Sequence, residues 1–175
     1  MRIRLLAAAL LACTSTIAPA LTFGPPIAGM CLLSRTAAIA SSRAGQSMQA
    51  QLKQMQGALS GEITRQRATI DQQRRALDTQ QNSIAPIEYR RQLSALNRQA
   101  QILEQQQNAR FITAQARGQQ QIDGALNNAL ERVITSASCS VVLERSNAYG
   151  WNNTMDITPA VTREMDGLLP AVVLQ

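Results

Sequence analysis

Apolar residues follow different periods in different parts of this chain. Ile63, Ile70, Leu77 and Ile84 recur every seventh residue, one line of a coiled-coil seam. The line that should face it carries Leu52 and Leu59 but then Gln66, Gln73 and Gln80, so beyond Leu59 the seam is half polar. Pro86 interrupts the periodic stretch, because it has no amide N–H and disfavours helix in the residue before it. On its far side Leu93, Leu96 and Leu103 resume the seam. Ala100 and Gln107 dilute it, and Leu126, Leu130 and Val133 restore it. Residues 37–85 and 87–137 are limbs of about fifty residues, each roughly 75 Å long as helix. Two equal limbs around one breaker predict an antiparallel helical hairpin over residues 37–137, with its tip near 84–89. Burial should concentrate at the base and thin toward the tip.

The two ends of the chain read differently. Residues 27–34 form a brief apolar run after Pro26, and residues 140–143 form a second, both with the character of buried strands. A third strand is expected around 148–152, beside the turn signal of Gly150. Asp156-Ile157-Thr158-Pro159 reads as a helix start, with Thr158 capping the first turn, Pro159 within it and Asp156 as a further cap or dipole partner. Val161, Met165 and Leu168 follow at helical spacing, and Gly167 and Pro170 close the helix. The predicted fold class is α+β and mostly helical. A long antiparallel hairpin, a coiled-coil arm, is rooted in a small β body contributed by residues 21–36 and 138–175, with a C-terminal helix. Short strands leave edges that must be paired or covered, and pairing between identical chains would form the body by oligomerisation. Its expected core is Ile27, Val141, Leu143, Tyr149, Trp151 and Ile157.

Composition narrows the chemistry. Aromatic residues are 3% of the chain, too few for a thick globular core. The formal net charge is +6, carried by sixteen Arg and one Lys, which invites acidic partners such as nucleic acid or anionic lipid. Residues 1–20, however, have Arg2 and Arg4, an apolar run and a small-residue end at Ala18-Pro19-Ala20, the pattern of a secretory signal peptide. Cleavage after Ala20 leaves 15 basic and 11 acidic residues, a net charge of +4, and export sets nucleic acid aside. The alternative is a structural envelope lipoprotein, a coiled-coil tether acylated at Cys13. The remaining cysteines, Cys31 and Cys139, are either a disulfide formed in an oxidising compartment or two separate buried thiols. His is absent, which removes the commonest proton shuttle and metal ligand. No nucleophile–base pair, phosphate loop or metal-ligand spacing stands in for it, so no enzyme, metal or cofactor is expected.

What remains is a basic arm. Between residues 60 and 120 nine Arg (Arg65, Arg67, Arg74, Arg75, Arg90, Arg91, Arg98, Arg110 and Arg117) face five acids. Such charges serve either as the solvated face of a coiled coil or as a surface for something anionic. Glu88-Tyr89-Arg90-Arg91 beside the tip is the most concentrated cluster.

The segment "VVLERSNAYGWNNTMDITPAVTREM", residues 141–165, resembles the closing pattern of the Skp/OmpH family of periplasmic chaperones. The run "IAGMCLLSRTAAIASSRAG", residues 27–45, is similar to that family's opening strand and first helix. The helices between match it in length and character. The resemblance implies a homotrimer with three helical arms enclosing a cavity. It implies a periplasmic, ATP-independent holdase that keeps unfolded outer-membrane β-barrel proteins from aggregating. Anionic lipid or lipopolysaccharide is a further partner suggested by charge. On this reading the client-facing candidates are Met48, Met55, Arg65, Arg67, Arg74, Arg75, Tyr89, Arg90, Arg91 and Arg98.

Overall fold

The computed structural model describes residues 23–174, so the signal-peptide pattern and Cys13 lie outside the described residues. Strand β1 (Met30–Leu33) and strand β2 (Val141–Glu144) pair in parallel, Met30 opposite Val141 and Leu33 opposite Glu144. Parallel strands need a crossover, and here the crossover is the whole arm. Gly29 sets the register from φ +75°, where its carbonyl accepts the N–H groups of Ser140 (2.7 Å) and Val141 (3.0 Å). A Cβ at that position would stand 2.8 Å from the Ser140 hydroxyl oxygen.

On the other edge of β1 the Ile157 N–H donates to the Leu32 carbonyl at 2.9 Å. Both edges of β1 are therefore occupied, and the third strand expected at 148–152 does not form. Residues Arg145–Asn147 make a 3-10 turn instead. The segment after it pairs with the N-terminal lead: the Phe23 N–H donates to the Trp151 carbonyl, and the Asn152 amide donates to the Gly24 carbonyl.

Helix α1 (Arg35–Ser41) is capped by the Ser34 hydroxyl, which accepts from the Ala37 N–H. The helix expected to run unbroken from residue 37 stops at Ser42, whose backbone is extended. The Ser42 hydroxyl donates to the Ile39 carbonyl (2.8 Å) and accepts from the Gly45 N–H (3.0 Å), ending one helix and capping the next. Gly45 is required by the sharpness of this joint, since a Cβ there would meet the Ile39 oxygen at 1.9 Å.

Helices α2 (Arg43–Thr79) and α3 (Pro86–Ser136) are the arm, 37 and 51 residues long. The turn occupies residues 80–85, just ahead of most of the expected 84–89. Ala85 is extended, and Pro86 stands in the first turn of α3 where an N–H would have no partner. The Tyr89 hydroxyl donates to Asp78 at 2.8 Å and ties the two limbs together at the tip.

Helix α4 (Thr158–Leu168) begins where the sequence places it, but its cap differs. Asp156 accepts the Thr158 N–H at 2.9 Å, while the Thr158 hydroxyl accepts from the Ser34 N–H at 2.9 Å. Thr158 thus ties α4 to the start of α1 and does not cap its own helix. Val161 and Met165 of α4 are fully buried with Ala38, Ile122, Leu126 and Ala129. The chain then turns back at Pro170, and Val172 and Leu174 are buried between α2 and α3.

One chain therefore builds its own body core, largely from helices. Of the residues expected to form that core, Ile157 does so and Trp151 is half-buried. Ile27, Val141, Leu143 and Tyr149 are exposed on the single chain, with Tyr149 the most so. Val141 and Leu143 lie on β2, whose outer edge pairs with no strand among the described residues. The sulfur atoms of Cys31 and Cys139 are bonded, with Cα atoms 5.8 Å apart, joining β1 to the foot of α3.

Candidate functional site

The arm is packed in two places and loose between them. At the foot, Met48 of α2 lies against Gly118 of α3 and shares one buried cluster with Ala114 and Ile122. Near the tip, Ile70, Leu77 and Leu103 are buried. Between them Leu52, Leu59 and Ile63 are only partly covered, so burial is least in mid-arm and recovers toward the tip. This corrects the expected monotonic thinning. The reason lies in α3, which offers Gln107 where an apolar residue would close the seam. Gln107 is buried and takes a long hydrogen bond from Arg110. Beside it lies a groove of about 490 Å³ lined by Leu59, Ile63, Arg67, Glu104, Gln107 and Phe111. Sequence reasoning overlooked Phe111. Its signal was present, as the only aromatic residue of the arm away from the tip.

The arm's cations fall into two groups. Arg65 pairs with Glu62 at 2.8 Å, Arg91 reaches Glu88 at 3.9 Å, and Arg67 of α2 pairs with Glu104 of α3. Hydrogen bonds from Arg65 and Gln66 hold the Glu62 carboxyl below its ordinary range. The bond to Glu104 raises the Arg67 guanidinium further above its own. Arg90 donates to the Pro86 carbonyl, and the bond to Asp78 raises the Tyr89 hydroxyl. Arg74, Arg75 and Arg98 make no ion pair among the described residues.

The candidate client residues are thus not one patch. Met48 is buried in the foot of the arm, so it acts in packing and not as open surface. Met55 is partly exposed beside a second groove. Tyr89, Arg90 and Arg91 brace the tip, while Arg74, Arg75 and Arg98 stand along the outer half of the arm.

The aromatic segment of the body holds a cation. Arg145 bonds Asp156 at 2.6 Å and lies 5.7 Å from the Trp151 ring centroid. Burial pushes the Asp156 carboxyl up. Hydrogen bonds from the Thr158 hydroxyl and N–H and from Arg145 outweigh it, so Asp156 sits below its ordinary range. Asp156 therefore stays ionised as a structural anion. Among the described residues no cluster of His, Cys, Asp and Glu is arranged to hold a metal ion. Among them, too, no helix is long and apolar enough to cross a membrane.

No curated protein matches this chain. It is similar in structure to a protein of Caulobacter crescentus provisionally named an outer membrane chaperone (OmpH-like), with a TM-score of 0.75 and 26% sequence identity. The similarity covers 88% of this chain and 93% of that one. The family model described as Outer membrane protein (OmpH-like) matches residues 30–165, from the first residue of β1 into α4. That span takes in the sheet, both limbs of the arm and most of α4, and the chain belongs to the OmpH-like family.

Proposed function

We propose that this chain is a periplasmic, ATP-independent holdase that binds unfolded outer-membrane β-barrel proteins and prevents their aggregation. The observation that carries this reading is the arm itself: two long helices, loosely packed in mid-length, with Arg74, Arg75 and Arg98 unpaired. A surface of this kind binds through many weak, adaptable contacts and needs no fitted pocket. Its unpaired cations draw in polypeptides of net negative charge, at rates that fall with salt.

The working form on this reading is a homotrimer with three arms around a common cavity. Support comes from the outer edge of β2, unpaired among the described residues, and from the exposed Val141, Leu143 and Tyr149, surfaces that an oligomer would cover. The test is rapid dilution of a denatured β-barrel protein, with light scattering recorded in the presence of the purified chain. Scattering should be suppressed near one trimer per client. Unchanged precipitation at a several-fold excess would overturn the proposal.

A further inference from the structure

Residues 170–174 leave α4, bend at Pro170 and Ala171, and run into the cleft between α2 and α3 without regular secondary structure. Val172 and Leu174 are 3% exposed and the intervening Val173 is 64% exposed, so alternate side chains enter the cleft. The cleft reads the backbone as a neighbouring strand would. The Gln121 side-chain amide accepts from the Val173 N–H (3.0 Å) and donates to the Val173 carbonyl (2.7 Å). Gln51, itself held by the Ser47 hydroxyl, donates to the Val172 carbonyl at 2.9 Å. Neither contact depends on which side chain the bound segment carries.

Room for the inserted side chain comes from Gly118. A Cβ there would stand 2.7 Å from Leu174 Cδ2 and 3.1 Å from Met48 Sδ. Gly in a helix interior is unfavourable, and here its place is explained by the chain it admits. The cleft does not end with its occupant. Next to Leu174 it opens into a cavity of about 260 Å³ bounded by Gln51, Gln54, Met55, Ala58, Leu59 and Arg110.

We propose that this cleft is a binding site for an extended polypeptide segment with apolar residues at alternate positions, and that residues 170–174 are its intramolecular competitor. Strands of membrane β-barrels have this alternation, so the occupant fits the client class of the holdase reading, on which this assignment of partner rests. The competitor is short and shows its middle residue to solvent. A client segment that also filled the adjoining cavity would gain contacts that residues 170–174 do not make.

Full-length protein and a full-length Val172→Asp, Leu174→Asp variant would be titrated into a fluorescein-labelled decapeptide of alternating Val and Thr, followed by anisotropy. Freeing the cleft should tighten binding at least tenfold, and adding Gly118→Leu should abolish the gain. Hydrogen exchange on the unaltered chain gives a second reading that needs no substitution: saturating peptide should speed exchange of the Val173 amide. Equal affinity for both proteins together with an unchanged Val173 exchange rate would overturn the proposal. If both proteins still suppressed aggregation of the unfolded barrel in that case, the holdase reading would stand without this site. If peptide bound as expected but aggregation was unchecked, the site would stand and the holdase reading would fall.

Discussion

The body and the arm of this protein share helices α2 and α3 yet are held by different forces. In the body, buried Val161, Met165, Ile122 and Leu126 interlock, a disulfide joins β1 to the foot of α3, and the Thr158 hydroxyl and Asp156 tie α4 to its neighbours. In mid-arm the same two helices meet through half-covered Leu59 and Ile63 and a buried Gln107. Stability in one chain can thus be concentrated where position must be fixed and withheld where shape must adapt. The holdase proposal depends on that contrast.

The contrast can be broken most directly in the body. Met165→Ala removes a fully buried side chain and should lower unfolding free energy by about 2–5 kcal/mol. Leu59→Ala, in the loose stretch, should cost about 1 kcal/mol or less. Urea midpoints at one protein concentration measure both, and equal losses would erase the distinction. Reducing the Cys31–Cys139 bond, whose cysteines are 108 residues apart in sequence, should cost about 2–4 kcal/mol. Parallel urea titrations with and without reductant read this loss.

Acid should act through the body as well. The Asp156 carboxyl lies below its ordinary range in the folded chain, so its stabilisation is complete above about pH 4 and is lost as pH falls further. Asp156→Asn should be less stable at neutral pH and should flatten the acid limb of a thermal-melting profile. The smallest effect on stability is expected from Arg74→Gln with Arg75→Gln, within about 0.5 kcal/mol. The same pair should make client association measurably less sensitive to salt, as stopped-flow rates across ionic strength would record.

How much of this was legible beforehand depended on whether the signal was local. The seven-residue spacing from Ile63 to Ile84 and the break at Pro86 carry the hairpin, because helix period and Pro stereochemistry act within a few residues. Asp156 and Pro159 likewise announce α4. The Ser42 joint went unread although Ser42 and Gly45 stand in its sequence, since helix-forming neighbours on both sides masked one capping serine. Tyr149, expected in a body formed by oligomerisation, is exposed on the single chain. Whether an apolar residue faces its own chain or another is a long-range matter that composition does not contain. The strand at 148–152 failed for a similar reason: Trp151 and Asn152 bond to Phe23 and Gly24 of the N-terminal lead instead, a pairing more than a hundred residues away in sequence. In the candidate site, the unpaired Arg74, Arg75 and Arg98 could be read only as part of a basic run. Which cations find partners is decided across the helix pair, as Arg67 and Glu104 show. The cleft holding Val172 and Leu174 was hidden because Pro170 reads as an end.

The central claim is that the arm yields to a client while the body does not. Hydrogen–deuterium exchange on the free and client-bound protein, resolved by peptide, tests it in one measurement. The account predicts new protection between residues 52 and 110 and no change at Leu32, Ile122 or Val161. Protection confined to the body, with the arm exchanging as fast as before, would contradict it.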